Sequence, residues 1–469
     1  MTTDNLNENN LCRLAKAVML KRSVGYDESL RILSGLRLHL VCDASIRSSS
    51  ALQAALLTAV NCGKRAFHGG VSVSMPESAS CLLPWPGMPS LNEVVRSLGG
   101  VIINQRPQSG EILLIGPDPS PAASTDLRML ATGWRGGVIP ADEMIAPPTG
   151  SDFATGGIFA GALGVAKAFF RASGICVRAA HVASGVSLWN PMNGWLDSDA
   201  EGPELAYLPK QLWLLGLGHL GQAVAWNLGL LPFADSSPVT VQLQDFDRAV
   251  EANRSAGLLC ESQHIGRYKT RIVSDWLEAR GFSTRICERA FDALTQRQSG
   301  EPRIALCGFD SAGARRHIGD AGFDLVVECG LGSSLDDFDS FLLHTFPEAS
   351  RPPQQVWPSD IESRHRILQP ELVQEFHGKG ECGILAETLA KKAISTSFVG
   401  ASAGAWMLAE LMRALHDGAR MQILSQQLRS DHSVSATPHG ETYVHRVTRN
   451  GFVQARCARN IPEPFHHVE

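Results

Sequence analysis

The segment Gly216-Leu217-Gly218-His219-Leu220-Gly221 restricts this chain more than any other, because of what stands on either side of it. An apolar run, residues 211–215, leads in, and a helix-like run, residues 222–230, leads out. Strand, glycine loop, helix is the arrangement that cradles a nucleotide phosphate. The glycines let the backbone approach closely, and the helix N-terminus offers unpaired N–H groups and a partial positive charge. Residues downstream of the loop narrow the nucleotide. Asp245 and Asp247 come after a second strand at 239–243, then Asn253 and Lys269, and Asp310 after a strand at 304–307. A nicotinamide- or flavin-dependent oxidoreductase explains the glycine loop and Asp245 but leaves Lys269 and Asp310 idle. An enzyme handling ATP with Mg2+ uses all of them.

Each residue type suits its place. An acid at the end of the second strand, Asp245, accepts hydrogen bonds from ribose hydroxyls. Lys269, close to a helix start, meets phosphate oxygens as a mobile point charge. Asp310, at the carboxyl end of a parallel strand facing the glycine loop, stands where a magnesium ligand belongs. Cys382 lies among glycines just before a helical run at 387–397, where a helix N-terminus stabilises a thiolate, so it has the best environment for a nucleophile among eleven cysteines. Cys329 ends an apolar strand and packs.

The 469 residues are too many for one ordinary core, and 44% hydrophobic with 19% charged residues is a soluble globular composition. A net charge of −5 gives no reason to expect nucleic acid. No apolar stretch is long enough to span a bilayer, and the polar, acidic residues 1–10 do not read as a signal peptide, which predicts a cytosolic protein. The cysteines are scattered and never spaced C-x-x-C, so neither a disulfide scaffold nor a paired-cysteine zinc site is expected.

Strands alternate with helices throughout, predicting an α/β protein with parallel sheets. The polar linker near 190–204 divides it at residue 200. Three features recur in order across that cut: strand, loop and helix at 36–60 and 211–230; a strand ending in Gly-x-Asp at 111–118 and 303–310; and a small-residue helix at 156–170 and 399–415. This predicts an ancestral duplication, giving two Rossmann-like doubly wound domains in a pseudo-dimer. Residues 1–200 form a degenerate half, since Asp43-Ala44-Ser45-Ile46-Arg47 replaces the glycine loop. Residues 201–420 form the active half, and 421–469 are an extension that adds a strand or two and has no assigned function.

The active half resembles the ubiquitin-activating superfamily, whose bacterial members include the ThiF, MoeB and HesA proteins. The resemblance rests on the glycine loop, on Gln244-Asp245-Phe246-Asp247 with Asn253, on Gly266-Arg267-Tyr268-Lys269, on Cys307-Gly308-Phe309-Asp310 and on Cys382-Gly383-Ile384-Leu385. It implies that Gly216, Gly218 and Gly221 hold ATP phosphates, Asp245 binds ribose, Asn253 and Lys269 meet phosphates and Asp310 binds Mg2+. It implies a reactive Cys382 after a crossover loop at about 347–382, with Cys382 and Lys269 as the catalytic pair. The family's arginine a few residues after the asparagine has Ala256 in its place, leaving Arg254, directly after Asn253, as the carry-over. A phosphate-binding arginine from the partner half is matched by Arg13, Lys16, Lys21 or Arg22. The activity implied is ATP-dependent adenylation of the C-terminal carboxylate of a ubiquitin-like protein, then a thioester and transfer to a conjugating enzyme. The chain works as a monomer with pseudo-dimeric halves or as a homodimer, in a bacterial conjugation system, some of which defend against phage. Adenylation of a sulfur carrier or peptide without a thioester, and a catalytically inert scaffold, are the other readings.

Overall fold

The computed structural model describes residues 9, 11–105, 107, 109–118, 123, 126–347, 351–358, 393–430, 434–438 and 447–456. Its helices are α1 (Arg13–Arg22), α2 (Tyr26–Gly35), α3 (Ser50–Ala66), α4 (Leu91–Ser97), α5 (Ala154–Ser173), α6 (His219–Gly229), α7 (Lys269–Glu278), α8 (Ala312–Arg315), α9 (Pro353–Val356) and α10 (Ser397–Leu415). Strands β1 (Leu38–Cys42), β2 (Val71–Ser74), β3 (Val101–Ile102), β4 (Glu111–Ile115), β5 (Leu127–Ala131), β6 (Arg135–Pro140) and β7 (Ser184–Ser187) form one sheet in the order β3-β2-β1-β4-β5-β6-β7. After β8 (Tyr207–Pro209) come β9 (Gln211–Leu215), β10 (Thr240–Gln244), β11 (Ser283–Cys287), β12 (Ile304–Cys307), β13 (Leu325–Leu331), β14 (Ser340–Phe346), β15 (Met421–Gln427) and β16 (Val434–Pro438), with β17 (Phe452–Gln454) last. The second sheet runs β11-β10-β9-β12-β13-β14-β15-β16, and β17 pairs with β8.

The two orders follow one plan. In each half the first strand is central, and the second, third, fourth and fifth join in parallel. The sixth and seventh strands are antiparallel additions. An order of 3-2-1-4-5 is that of the doubly wound nucleotide-binding sheet. The second sheet runs on beyond residue 420, where the sequence placed a boundary. β15 pairs with β14 along its length, so this part of the tail belongs to the sheet.

Parallel strands buried on both faces must be apolar at every position. Strand β9 shows how: Leu212 and Leu214 enter the main core, while Trp213 and Leu215 enter a second, smaller one. Strand β12 divides in the same way, Ile304 and Leu306 against Ala305 and Cys307.

Glycine and alanine bring the helices close. A Cβ on Gly157 or Gly161 of α5 would strike the main-chain oxygens of Ala51 and Ala55 on α3, at 1.8 and 2.3 Å. On α10, a Cβ at Gly400 would lie 2.4 Å from His219 Nε2, and one at Gly404 would lie 3.0 Å from Ala223, both on α6. The glycines are the fourth and eighth residues of α5 and of α10 alike. α5 and α10 also pack on each other. One apolar core therefore takes in Leu40, Leu57 and Phe169 from the first half and Leu214, Trp226 and Trp406 from the second.

Candidate nucleotide site

The carboxyl ends of β9, β10 and β12 meet at one edge of the second sheet. Gly216, with φ +78°, turns the chain out of β9, and its N–H donates to Gln244 O at 3.0 Å. Two close approaches explain the spacing of the glycines. A Cβ on Gly216 would lie 3.0 Å from Gly308 O and Phe309 Cδ1, and one on Gly221 would lie 2.1 Å from Gly216 O. Gly218 has open space where a Cβ would stand. Helix α6 begins directly after it, and among the described residues no side chain caps its first N–H groups. Those donors are the ones a phosphate takes.

Asp245 follows β10 and is buried. Its Oδ2 accepts the Leu217 N–H at 2.6 Å and its Oδ1 the Asp247 N–H at 2.8 Å, so it ties the glycine loop to the next turn. A carboxylate keeps further lone pairs after two such bonds, which leaves capacity for ribose. Burial raises its pKa, while Lys269 and the two N–H donors oppose the rise. Lys269 opens α7. Its Nζ pairs with Asp247 Oδ2 at 2.6 Å, and its N–H donates to Asp247 O at 3.0 Å. The lysine side chain is 10% exposed and its partner's 48%, so a nearly buried cation is held by an acid that solvent reaches.

The other expected residues are placed less uniformly. Asn253 Oδ1 accepts the Val250 N–H at 2.9 Å and shapes its own turn. Arg254 pairs with Glu251 in that turn. Gly266, with φ +85°, makes the turn before α7, which starts at Lys269. Asp310 is exposed on the loop after β12, one residue beyond the Phe309 that packs on Gly216. Among the described residues it makes no ion pair or hydrogen bond with the Asp245–Asp247–Lys269 group. No three His, Cys, Asp or Glu among the described residues gather to hold a metal unaided. Magnesium does not need such a cage, since one or two carboxylates and substrate phosphates suffice. A free, exposed carboxylate beside the glycine loop fits that demand. Cys382 and most of the expected crossover loop lie outside the described residues. Nearby Cys307 and Cys329 are buried, and burial pushes both thiols up, which disqualifies them as nucleophiles.

Two family models match the chain: a BilD N-terminal domain over residues 37–188 and a BilD C-terminal domain over 208–418. The "Bacterial E1-like protein BilD" of Collimonas sp. (strain OK412) is 35% identical over 455 residues, 95% of this chain and 97% of that one. The chain belongs to the BilD family of bacterial E1-like proteins. Among solved structures, E. coli MccB covers 55% of this chain and 68% of its own at 14% identity and a TM-score of 0.34. PaaA covers 49% and 64% at 10% identity and 0.33. Neither likeness is close enough to bear on the chemistry.

Both BilD domains keep the strand–loop–helix unit, and the structure shows what sequence reasoning missed in the N-terminal one. After β1, Asp43 Oδ1 accepts the Ser45 N–H at 2.8 Å and Oδ2 the Asp118 N–H at 2.7 Å. A Cβ on Gly116 would strike this carboxylate at 2.2 Å. At the start of α3, Asp152 accepts the Ser50 and Ala51 N–H groups at 2.6 and 2.9 Å, and both neighbouring serine hydroxyls. The protein's own carboxylates occupy the donors that stay open at α6. Asp43 was visible as the residue replacing a glycine loop. Asp152 is a hundred residues from the helix it caps, and no local signal marks it.

The first half of the chain, including the residues before the matched N-terminal domain, also reaches across to the second half. Ala252 N–H donates to Asn9 O at 2.7 Å, and α1 packs on the turn at 251–255. Arg13, the first residue of α1, lies within electrostatic reach of His219, the first of α6. Arg65 on α3 donates to the carbonyls of Gly257, Leu258 and Cys260 and pairs with Glu261 at 3.0 Å. No helix among the described residues is long and apolar enough to cross a membrane.

Proposed function

We propose that this chain uses ATP and Mg2+ to adenylate the C-terminal carboxylate of a ubiquitin-like protein. It then holds the acyl group as a thioester on Cys382 for transfer to a conjugating enzyme. The observation that carries the reading is the convergence at one sheet edge of the glycine loop, the uncapped α6 N-terminus, Asp245, the Lys269–Asp247 pair and Asp310. Magnesium held by Asp310 and the phosphates would offset the repulsion between two anions that must meet. Lys269 exchanges Asp247 for a phosphate oxygen, and the loop amides take others. Asp245 holds the ribose. A carboxylate oxygen attacks the α-phosphorus, the bond to pyrophosphate breaks, and an acyl-adenylate remains. The Cys382 thiolate then attacks the acyl carbon and AMP leaves.

The first half serves as an inactive partner in a pseudo-dimer. The shared strand plan and the filled anion sites at Asp43 and Asp152 support this. Of the four basic residues offered by the sequence, Arg13 has the best claim to reach a phosphate, through its place beside the start of α6. The test is isotope exchange between pyrophosphate and ATP, by the full chain with a ubiquitin-like protein from the same genome. Exchange that needs both Mg2+ and a free C-terminus supports the reading. Protection from heat by NAD but not by ATP with Mg2+ overturns it.

A further inference from the structure

Behind the loop that carries Asp310 lies a buried ionic chain that the proposed reaction does not use. Glu328 on β13 has a side chain only 1% exposed. Its Oε2 lies 3.2 Å from His344 Nδ1 on β14, and its Oε1 lies 3.0 Å from Arg315 Nε at the end of α8. The same guanidinium donates through Nε, at 2.9 Å, and through Nη2 to Phe309 O. Gly330 leaves it room, since a Cβ there would lie 3.1 Å from Arg315 Nη1. Phe309 is thus held at both ends: its carbonyl by Arg315, its ring against Phe291 at 5.3 Å between centroids and against Gly216. The next residue is Asp310.

Burying a carboxylate is costly unless it is paired. Glu328 is buried with Arg315 and His344 as its partners. The Arg315 Nε–H goes to Phe309 O, so among the described residues Glu328 Oε1 accepts no hydrogen bond and holds the guanidinium by charge alone. A carbonyl gripped by a charged fork that a buried acid attracts in this way has little freedom. The adjoining peptide, with the Asp310 carboxylate on it, inherits that restriction.

We infer that Arg315, anchored by Glu328, is the positioning residue that fixes Asp310 as a divalent-cation ligand. The inference rests on the adenylation reading and deepens it. Full-length protein is titrated with Mn2+ in the presence of the ATP analogue AMPCPP, and free manganese is read by electron paramagnetic resonance. Asp310→Ala marks the loss of the site. Arg315→Met raises the manganese concentration for half-saturation by about 10- to 100-fold, the range seen when the group orienting a metal ligand is removed. Metal-free AMPCPP binding stays as in the wild type, and Arg315→Lys recovers part of the metal affinity. Glu328→Gln, which keeps Arg315 but loosens its anchor, gives an intermediate shift and stands in if Arg315→Met does not fold. Equal half-saturation in wild type and folded variants overturns the inference while leaving the adenylation reading intact. Wild-type protein that takes up no manganese with AMPCPP overturns that reading itself.

Discussion

The loops that come after β1 and β9 occupy the same place in two sheets of the same order, and they treat negative charge in opposite ways. After β9 the loop is rich in glycine, Asp245 takes only the Leu217 N–H, and among the described residues the first N–H groups of α6 have no side-chain partner. After β1, Asp43 sits on the loop amides and Asp152 on the start of α3. A phosphate entering the first site would lose its donors and meet two carboxylates at short range, where like charges repel strongly. Both acids also serve the fold, Asp43 by bonding the Ser45 and Asp118 N–H groups and Asp152 by capping α3.

The contrast breaks most visibly at the ligands of the second half. Asp310→Ala is expected to lower pyrophosphate exchange by about 10²- to 10³-fold, the scale of losing one electrostatic stabiliser. Cys382→Ala should leave exchange intact and abolish the thioester seen on a non-reducing gel. Exchange that survives Asp310→Ala would return Asp310 to the role of an ordinary loop acid. The first half should matter through stability instead. Arg65→Ala strips Cys260 O of its Arg65 donor and leaves Gly257 O, Leu258 O and Glu261 with one partner fewer, and should cost about 1–3 kcal/mol in chemical denaturation. Asp43→Ala and Asp152→Ala remove caps worth ~1 kcal/mol each, with exchange unchanged. A slowed exchange in either would show that the first site is not inert.

The smallest effect is electrostatic. Burial works against the Glu261 charge, but the Arg65 and Lys64 cations hold the carboxyl below the usual glutamate range. A depressed folded-state value stabilises above the ordinary pKa and is lost as pH falls through the lowered one. The melting temperature of wild type should therefore exceed that of Glu261→Gln near neutrality. The gap should close on acidification through the carboxylate range.

Local patterns showed much of this in advance. The glycine loop, the strand at 304–307 and the small-residue helices are short-range signals, and α10 ends at Leu415 where the sequence placed its end. The place of Lys269 near a helix start was legible from the glycine that precedes it, and α7 begins at Lys269 itself. What escaped was long-range. The pairing of β15 with β14 joins segments some eighty residues apart, so the tail's extra strands were expected but not the sheet edge they join. Asp152 and the Glu328–Arg315 anchor act on elements that only folding brings near. Asp245 was read as a ribose ligand, yet its carboxylate also ties Leu217 to Asp247, a duty that needs the loop in place to be seen.

The helices that abut through Gly157, Gly161, Gly400 and Gly404 leave the two sheets sharing a single oily interior. Neither half has a face it can show to water alone. Splitting the gene between α5 and β8 should yield two insoluble fragments that recover only when made together.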